Sequence, residues 1–313
     1  MIAAIAILLS LAGCSAAQPA PATSAIAVVR QDGGFLVREA GRPVFFYQLA
    51  PKSLAGRYER SNYIHPLYGL DGEILTEDFP QDHYHHRGVF WAWHQVLVGD
   101  VRAGDPWLAR HFSWQLQDAA ALPAGNGVRA VHRWFSPDFA QGVEPILEET
   151  ARISVHPAAA GVRLVDFDIR LEALQTGVRL GGSDDAKGYG GFSLRVRLPG
   201  DLRFTAASGA LAPAPLALEA GAWVDFSGGF GPRPGPASGV AVFVHPTSPG
   251  YPRKWILRGP DTPSMQNPAW PGAAAVPMPR GRPVRLRYRL AVHRGGASRV
   301  ALVKLAKDYA ASR

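Results

Sequence analysis

The chain has 313 residues, of which 47% are hydrophobic and 19% charged, which is enough apolar material for a sizeable core and excludes a disordered chain. Its 33 Lys and Arg exceed the 25 Asp and Glu, a formal net charge of +8, but no Lys/Arg-rich run concentrates that charge and no nucleic-acid partner is expected. With 34 Gly and 27 Pro, many set between short apolar runs, the pattern is one of turns separating strands.

Ile2 to Ala12 is apolar apart from Ser10, shorter than the roughly 20 residues a spanning helix needs, and reads as the core of a signal peptide. The following Leu11-Ala12-Gly13-Cys14 resembles the lipobox of bacterial lipoproteins, although no Lys or Arg precedes the apolar stretch. We expect a leader over residues 1–13, lipidation at Cys14, and a solvated tether through residue 24 made of Ala, Pro, Ser, Gln and Thr. Ser15 after the cysteine implies, by the same resemblance, outer-membrane sorting with the protein facing the periplasm. Cys14 is the only cysteine, so no internal disulfide is available.

The folded part is expected over residues 25–313 as one domain. Ile26 to Arg30, Phe35 to Glu39 and Val44 to Gln48, separated by Asp32-Gly33-Gly34 and Gly41-Arg42-Pro43, read as a meander of three strands. Further strand signals follow at 89–98, 112–117, 128–135, 146–155, 189–198, 202–205, 223–226 and 240–245. Val165, Phe167, Ile169 and Leu171 alternate with Asp166, Asp168 and Arg170, and Leu286, Tyr288, Leu290 and Val292 with Arg285, Arg287 and Arg289. Each is a half-buried strand whose charged face is expected to be solvated. Leu302, Leu305, Ala306 and Tyr309 have helical spacing, with Ser298 placed to cap. The expectation is an all-β protein: a large two-sheet antiparallel sandwich with a C-terminal helix packed on a sheet.

The strongest local signal is His83-Tyr84-His85-His86-Arg87. In an extended segment His83 and His85 project to one side, where they could share a metal or a substrate. Upstream, a Pro/Gly-rich stretch adds His65, Glu77 and Asp78, and loops on a rigid scaffold are where sites usually lie. Trp91 and Trp93 share one strand face, either as core or as platforms for sugar rings. Lys187-Gly188-Tyr189-Gly190-Gly191, His245 at a strand end and Asn267 in a turn are weaker candidates. Three readings of the histidines stand: acid/base chemistry, which needs no cofactor and none is expected; a divalent metal on His83, His85 and His245, with Glu77 as a further ligand type; or structural bonding to loop backbone.

Asp82-His83-Tyr84-His85-His86-Arg87-Gly88, Tyr189-Gly190-Gly191, Trp223 to Gly228, Gly239 to Pro246 and Tyr288 to His293 together resemble a bacterial family labelled PmoA-like, over about Ile26 to Gly295. The label's membrane oxygenase is built of spanning helices, and no segment after the leader is apolar for long enough, so that activity is not expected. The resemblance implies a supersandwich like that of galactose mutarotase, a fold class that commonly binds carbohydrate and moves protons at the anomeric centre. The mutarotase motifs themselves are not present, so no catalytic residue carries over from them; from the residues alone His85 and His86 are the expected general acid and base, with Glu77 or Asp78 orienting them, and Arg87 and Lys187 binding hydroxyls or stabilising negative charge. His65, His83, Trp91, Trp93, Tyr189, His245 and Asn267 are expected to contact the ligand. The expected reaction is an epimerisation, elimination or hydrolysis of a sugar or glycoside; a non-catalytic glycan-binding envelope lipoprotein is the alternative.

Overall fold

A computed structural model describes residues 26–231 and 237–312; the expected leader, Cys14 and the tether lie outside the described residues. The chain forms an all-β sandwich. One sheet has six strands in the order Ile26–Gln31, Gly34–Glu39, Arg42–Gln48, Tyr63–Leu67, Val89–Ala92 and Gly191–Leu194. The other has nine, from Ser113–Ala121, Gly127–Phe135, Leu147–Val155 and Val162–Ala173 through Val284–Arg294, Ser238–Val244 and Trp223–Gly228 to Arg203–Ala206 and Gly209–Leu211. Neighbouring strands in both sheets run antiparallel.

Alternation decides which side chains meet between the sheets. Val89 and Trp91 from the six-stranded sheet and Ile169, Phe167 and Tyr288 from the nine-stranded sheet belong to one buried cluster. Phe192 stacks on Tyr288 at 4.1 Å and meets Phe167 edge-on at 5.0 Å, closing the gap between the sheets. The opposite parity builds two further layers, one on each outer face. Tyr63, Phe90 and Ala92 gather Trp107, Ile256 and Met265 over the six-stranded sheet. Trp223, Phe243 and Ala291 gather Leu302 and Tyr309 over the nine-stranded one. The second layer is the seat of the C-terminal helix Arg299–Ala310, capped by the Ser298 hydroxyl, which accepts from Ala301 N–H at 3.2 Å.

Two expectations need correction. The charged face of the last strand is not simply solvated: the helix covers part of it, leaving Arg287 and Arg289 buried. Arg289 lies over the Tyr309 ring and makes a two-point ion pair with Asp166, at 2.6 and 2.8 Å, because the antiparallel register sets these residues opposite each other. The run 89–98 is also not one strand. Val89–Ala92 stays in the six-stranded sheet, whereas Gln95–Val98 joins a smaller sheet with Val101–Arg102, Val178–Gly181 and Val276–Pro277. The break falls at Trp93 and His94, where the Trp93 carbonyl accepts from Trp107 N–H and the His94 ring pairs with Asp105.

Candidate functional site

Strands Tyr63–Leu67 and Val89–Ala92 are neighbours, with Ile64 opposite Val89, yet 21 residues separate them in sequence. That excursion, residues 68–88, rises over the outer face of the six-stranded sheet and carries the histidine segment. Its return is tight: a Cβ on Gly88 would lie 2.1 Å from the Ile64 carbonyl oxygen, so only glycine fits there. Arg87 clamps the base of the loop. Its guanidinium is fully buried, donates to the carbonyls of Tyr84, His86 and Tyr58, and stacks 3.5 Å over the Phe79 ring.

The loop forms one wall of a cleft of about 630 Å³, within the range of small-molecule sites. Asp82, His83, His85 and His86 face Lys187 and Tyr189 across it, with Trp107 behind and the segment 258–265 on the remaining side. The distant stretches around 83, 187 and 258 therefore open into one hollow.

The imidazoles pack together. His83 stacks on His86 at 4.6 Å, and His85 sits edge-on to both, at 5.6 and 4.5 Å. Asp82 pairs with His83 Nδ1 at 2.7 Å and receives both arms of Arg195 at 2.7 and 2.8 Å, while Arg195 Nε donates to Glu77. Burial raises the Asp82 carboxyl, but the bonds from His83 and Arg195 outweigh it and leave the group below its usual range. An ionised Asp82 accepts from His83 Nδ1 and so fixes the orientation of that ring.

His85 and His86 behave differently. Burial, reinforced by the charges of His83 and Arg60, pushes His85 down to about 3, and burial together with His85 and His83 holds His86 well below the usual imidazole range. Both are neutral at pH 7. His86 is 1% exposed and its Nδ1 is buried without a partner; among the described residues no hydrogen bond engages the His85 ring. Two neutral imidazoles with free nitrogens, in contact and open to a cavity, can accept a proton from a ligand and donate an N–H to it.

Behind them, residues the sequence did not single out join Tyr189 in an aromatic wall. Arg60, buried and lowered to about 9 by desolvation and then by Arg87, donates to the carbonyls of Pro106 and Trp107 and fixes the Trp107 turn. His94 pairs with Asp105 at 2.9 Å, stacks on Trp107 at 5.4 Å and meets Tyr189 edge-on at 5.0 Å. Arg195, Trp107 and Arg258 lie in stretches of ordinary strand or loop composition. Only long-range pairing brings them here, so no local signal marked them.

The other sequence candidates lie elsewhere. Trp91 and Trp93 face the core, 2% and 0% exposed, with their indole N–H groups bonded to Glu149 and the Trp270 carbonyl, so neither is a sugar platform. Asp78 is taken by Lys52 at 2.6 Å and by Arg87, and Glu77 reaches the imidazoles only through Arg195 and Asp82; neither carboxylate touches a histidine. Arg87 gives its two terminal nitrogens to backbone carbonyls and holds Nε 3.4 Å from Asp78, outside the cleft lining. His65 bonds Thr76 and is lowered to about 4 by burial, outside the cleft lining. Asn267 is buried, tying Gly190, Phe192 and Ser193 together. His245 lies on the opposite side of the sandwich, bonded to Thr247, facing the Ser312 carbonyl and edge-on to Tyr309, so it cannot join His83 and His85 around one ion. Among the described residues, no group of three or more His, Cys, Asp or Glu side chains is placed to hold a metal ion.

Also among the described residues, no helix is long and apolar enough to cross a membrane. No curated protein matches the chain. The model of the family of unknown function DUF6807 matches residues 35–307, nearly the whole sandwich and its helix, and the chain belongs to that family.

Proposed function

We propose that the protein is a carbohydrate-active acid/base enzyme whose reacting groups are His85 and His86. The observation that carries this reading is the convergence of two unbonded, neutral imidazoles with a carboxylate-oriented third, His83, in one open cleft walled by Trp107 and Tyr189. Aromatic side chains suit the apolar C–H faces of a sugar ring. The resemblance to the PmoA-like group, and through it to the mutarotase supersandwich, supports the same ligand class. His85, with no protein partner, takes the proton from substrate; His86, packed against it, donates or relays one; Lys187 meets a hydroxyl or a developing negative charge. The reaction is an epimerisation, elimination or hydrolysis, and the lipobox-like Leu11 to Cys14 suits an envelope-anchored protein facing the periplasm.

The test is a screen of sugars and glycosides for turnover, followed by His85→Ala and His86→Ala. Each variant should lose about a hundredfold or more of turnover with the melting temperature within a few degrees of the parent. Undiminished turnover in both would overturn the assignment. A glycan-binding protein without chemistry is the second reading, favoured by the very low basicity of His85. It is recognised by saturable glycan binding that survives His85→Ala and yields no product.

A further inference from the structure

Arg258 enters the cleft from the segment opposite the histidines, half-buried, with its backbone tied on both sides to Gln266. Both Nη1 hydrogens are occupied, by the carbonyls of Ala214 at 2.5 Å and Leu257 at 3.0 Å, and one Nη2 hydrogen by the carbonyl of Pro215 at 3.0 Å. What remains is Nε–H and the second Nη2–H, for which the described residues supply no partner. These two form the side edge of the guanidinium, two parallel donors at the spacing a carboxylate accepts.

The rest of the lining leaves that edge without an anion. The one carboxylate in the cleft wall is Asp82, which is already forked by Arg195 and paired with His83. Lys187 adds a second cation; its contact with Asp185 is 3.5 Å long, between side chains that are each nearly half exposed, a pairing worth little in water. A neutral sugar could offer that edge hydroxyl oxygens but would leave its charge uncompensated.

Resting on the reading of the cleft as a sugar site, we infer that its substrate is an acidic sugar, a uronate whose carboxylate lies across the free edge of Arg258 with Lys187 as a second, looser contact. Such a ligand also answers a difficulty in the imidazole chemistry. A negative charge inside the cleft raises the proton affinity of His85 and His86, so the bases gain strength only when substrate is bound.

Calorimetric titration with galacturonate and glucuronate, against galactose and glucose, tests this directly. The uronates should bind about tenfold or more tightly than the matched neutral sugars, as a charge-assisted two-point contact provides, and the advantage should vanish in Arg258→Gln. Because Arg258 also braces three carbonyls, Arg258→Lys is measured beside it with a melting curve for each. Lysine keeps the charge but not the fork, and most of the preference should be lost there too. Galactose 6-sulfate and glucose 6-phosphate separate a planar carboxylate from any anion: tighter binding of either than of the uronates overturns the inference. So does equal affinity for neutral and acidic sugars, or a preference that survives both substitutions, and in those cases the sugar reading stands. Binding of none of the six compounds removes both.

Discussion

Two regions of this molecule hold titratable groups that burial has displaced, and they differ in what surrounds them. In the cleft, His85 and His86 have unbonded nitrogens and an opening. Between the sheets, Glu149 is 0% exposed and pushed up to about 7, chiefly by burial, while Asn62, Trp91 and Trp134 donate to its oxygens and Tyr47 donates to Asn62. The interior carboxyl is displaced as the imidazoles are, yet it is fully enclosed and both of its oxygens accept hydrogen bonds from the protein. A displaced proton affinity alone therefore does not mark a site; a displaced group with an unmet bond and an entrance does.

The contrast can be broken by substitution. The largest expected effect is on the interior side: Glu149→Ala orphans three buried donors and should cost about 3 kcal/mol or more of stability by urea unfolding, whereas His85→Ala should cost less than about 1 kcal/mol. Equal losses would erase the distinction between a structural node and a free site.

Next in size is the pH dependence. Glu149 has a folded value raised above that of an unfolded carboxyl, so its contribution is complete below about pH 4.5 and is lost as the pH rises to about 7. The histidines run the other way. His65, His85 and His132 are depressed to about 4, 3 and 4 by burial, so their contribution is present above about pH 6.5 and is lost as the pH falls. In urea titrations from pH 4 to 8, Glu149→Gln should remove the decline on the neutral side and leave the acid side in place. A parent profile with no neutral-side decline would mean that Glu149 is ionised in the fold.

The smallest effect is expected at the wall between the two regions. Asp105→Asn removes the charge that pairs with His94 and should weaken ligand binding a few-fold by reorienting Trp107 and Tyr189, with little change in stability. Unchanged binding would make the His94 pair purely a support for the turn.

The sandwich was legible because its signal is local. The alternation at 165–171 and 284–292 placed the core face correctly, and Ser298 with the spacing of Leu302 and Tyr309 located the helix. The site was legible in part: the cluster His83 to His86 and Lys187 to Tyr189 converge, and they are contiguous in sequence. What remained hidden depends on strand order. Trp91 and Trp93 were placed on one strand face, but which face is dry follows from the nine-stranded sheet lying against it, a fact no segment encodes. Arg195 reaches the cleft through a contact across 113 residues of chain, Arg258 through bonds to the carbonyls of Ala214 and Pro215, and Trp107 through a turn braced by Arg60. Composition around them looks like any surface loop.

The excursion over residues 68–88 leaves and re-enters between adjacent strands whose pairing closes directly beneath it. The loop is tied down along its length: Leu75 sits in the main core, Thr76 bridges Val196, and the return is fixed by the buried guanidinium of Arg87 and the close approach at Gly88. The segment His83 to His86 lies between those fastenings, so its side chains can change with less disturbance to the sandwich than those of Leu75 or Thr76, or than Gly88.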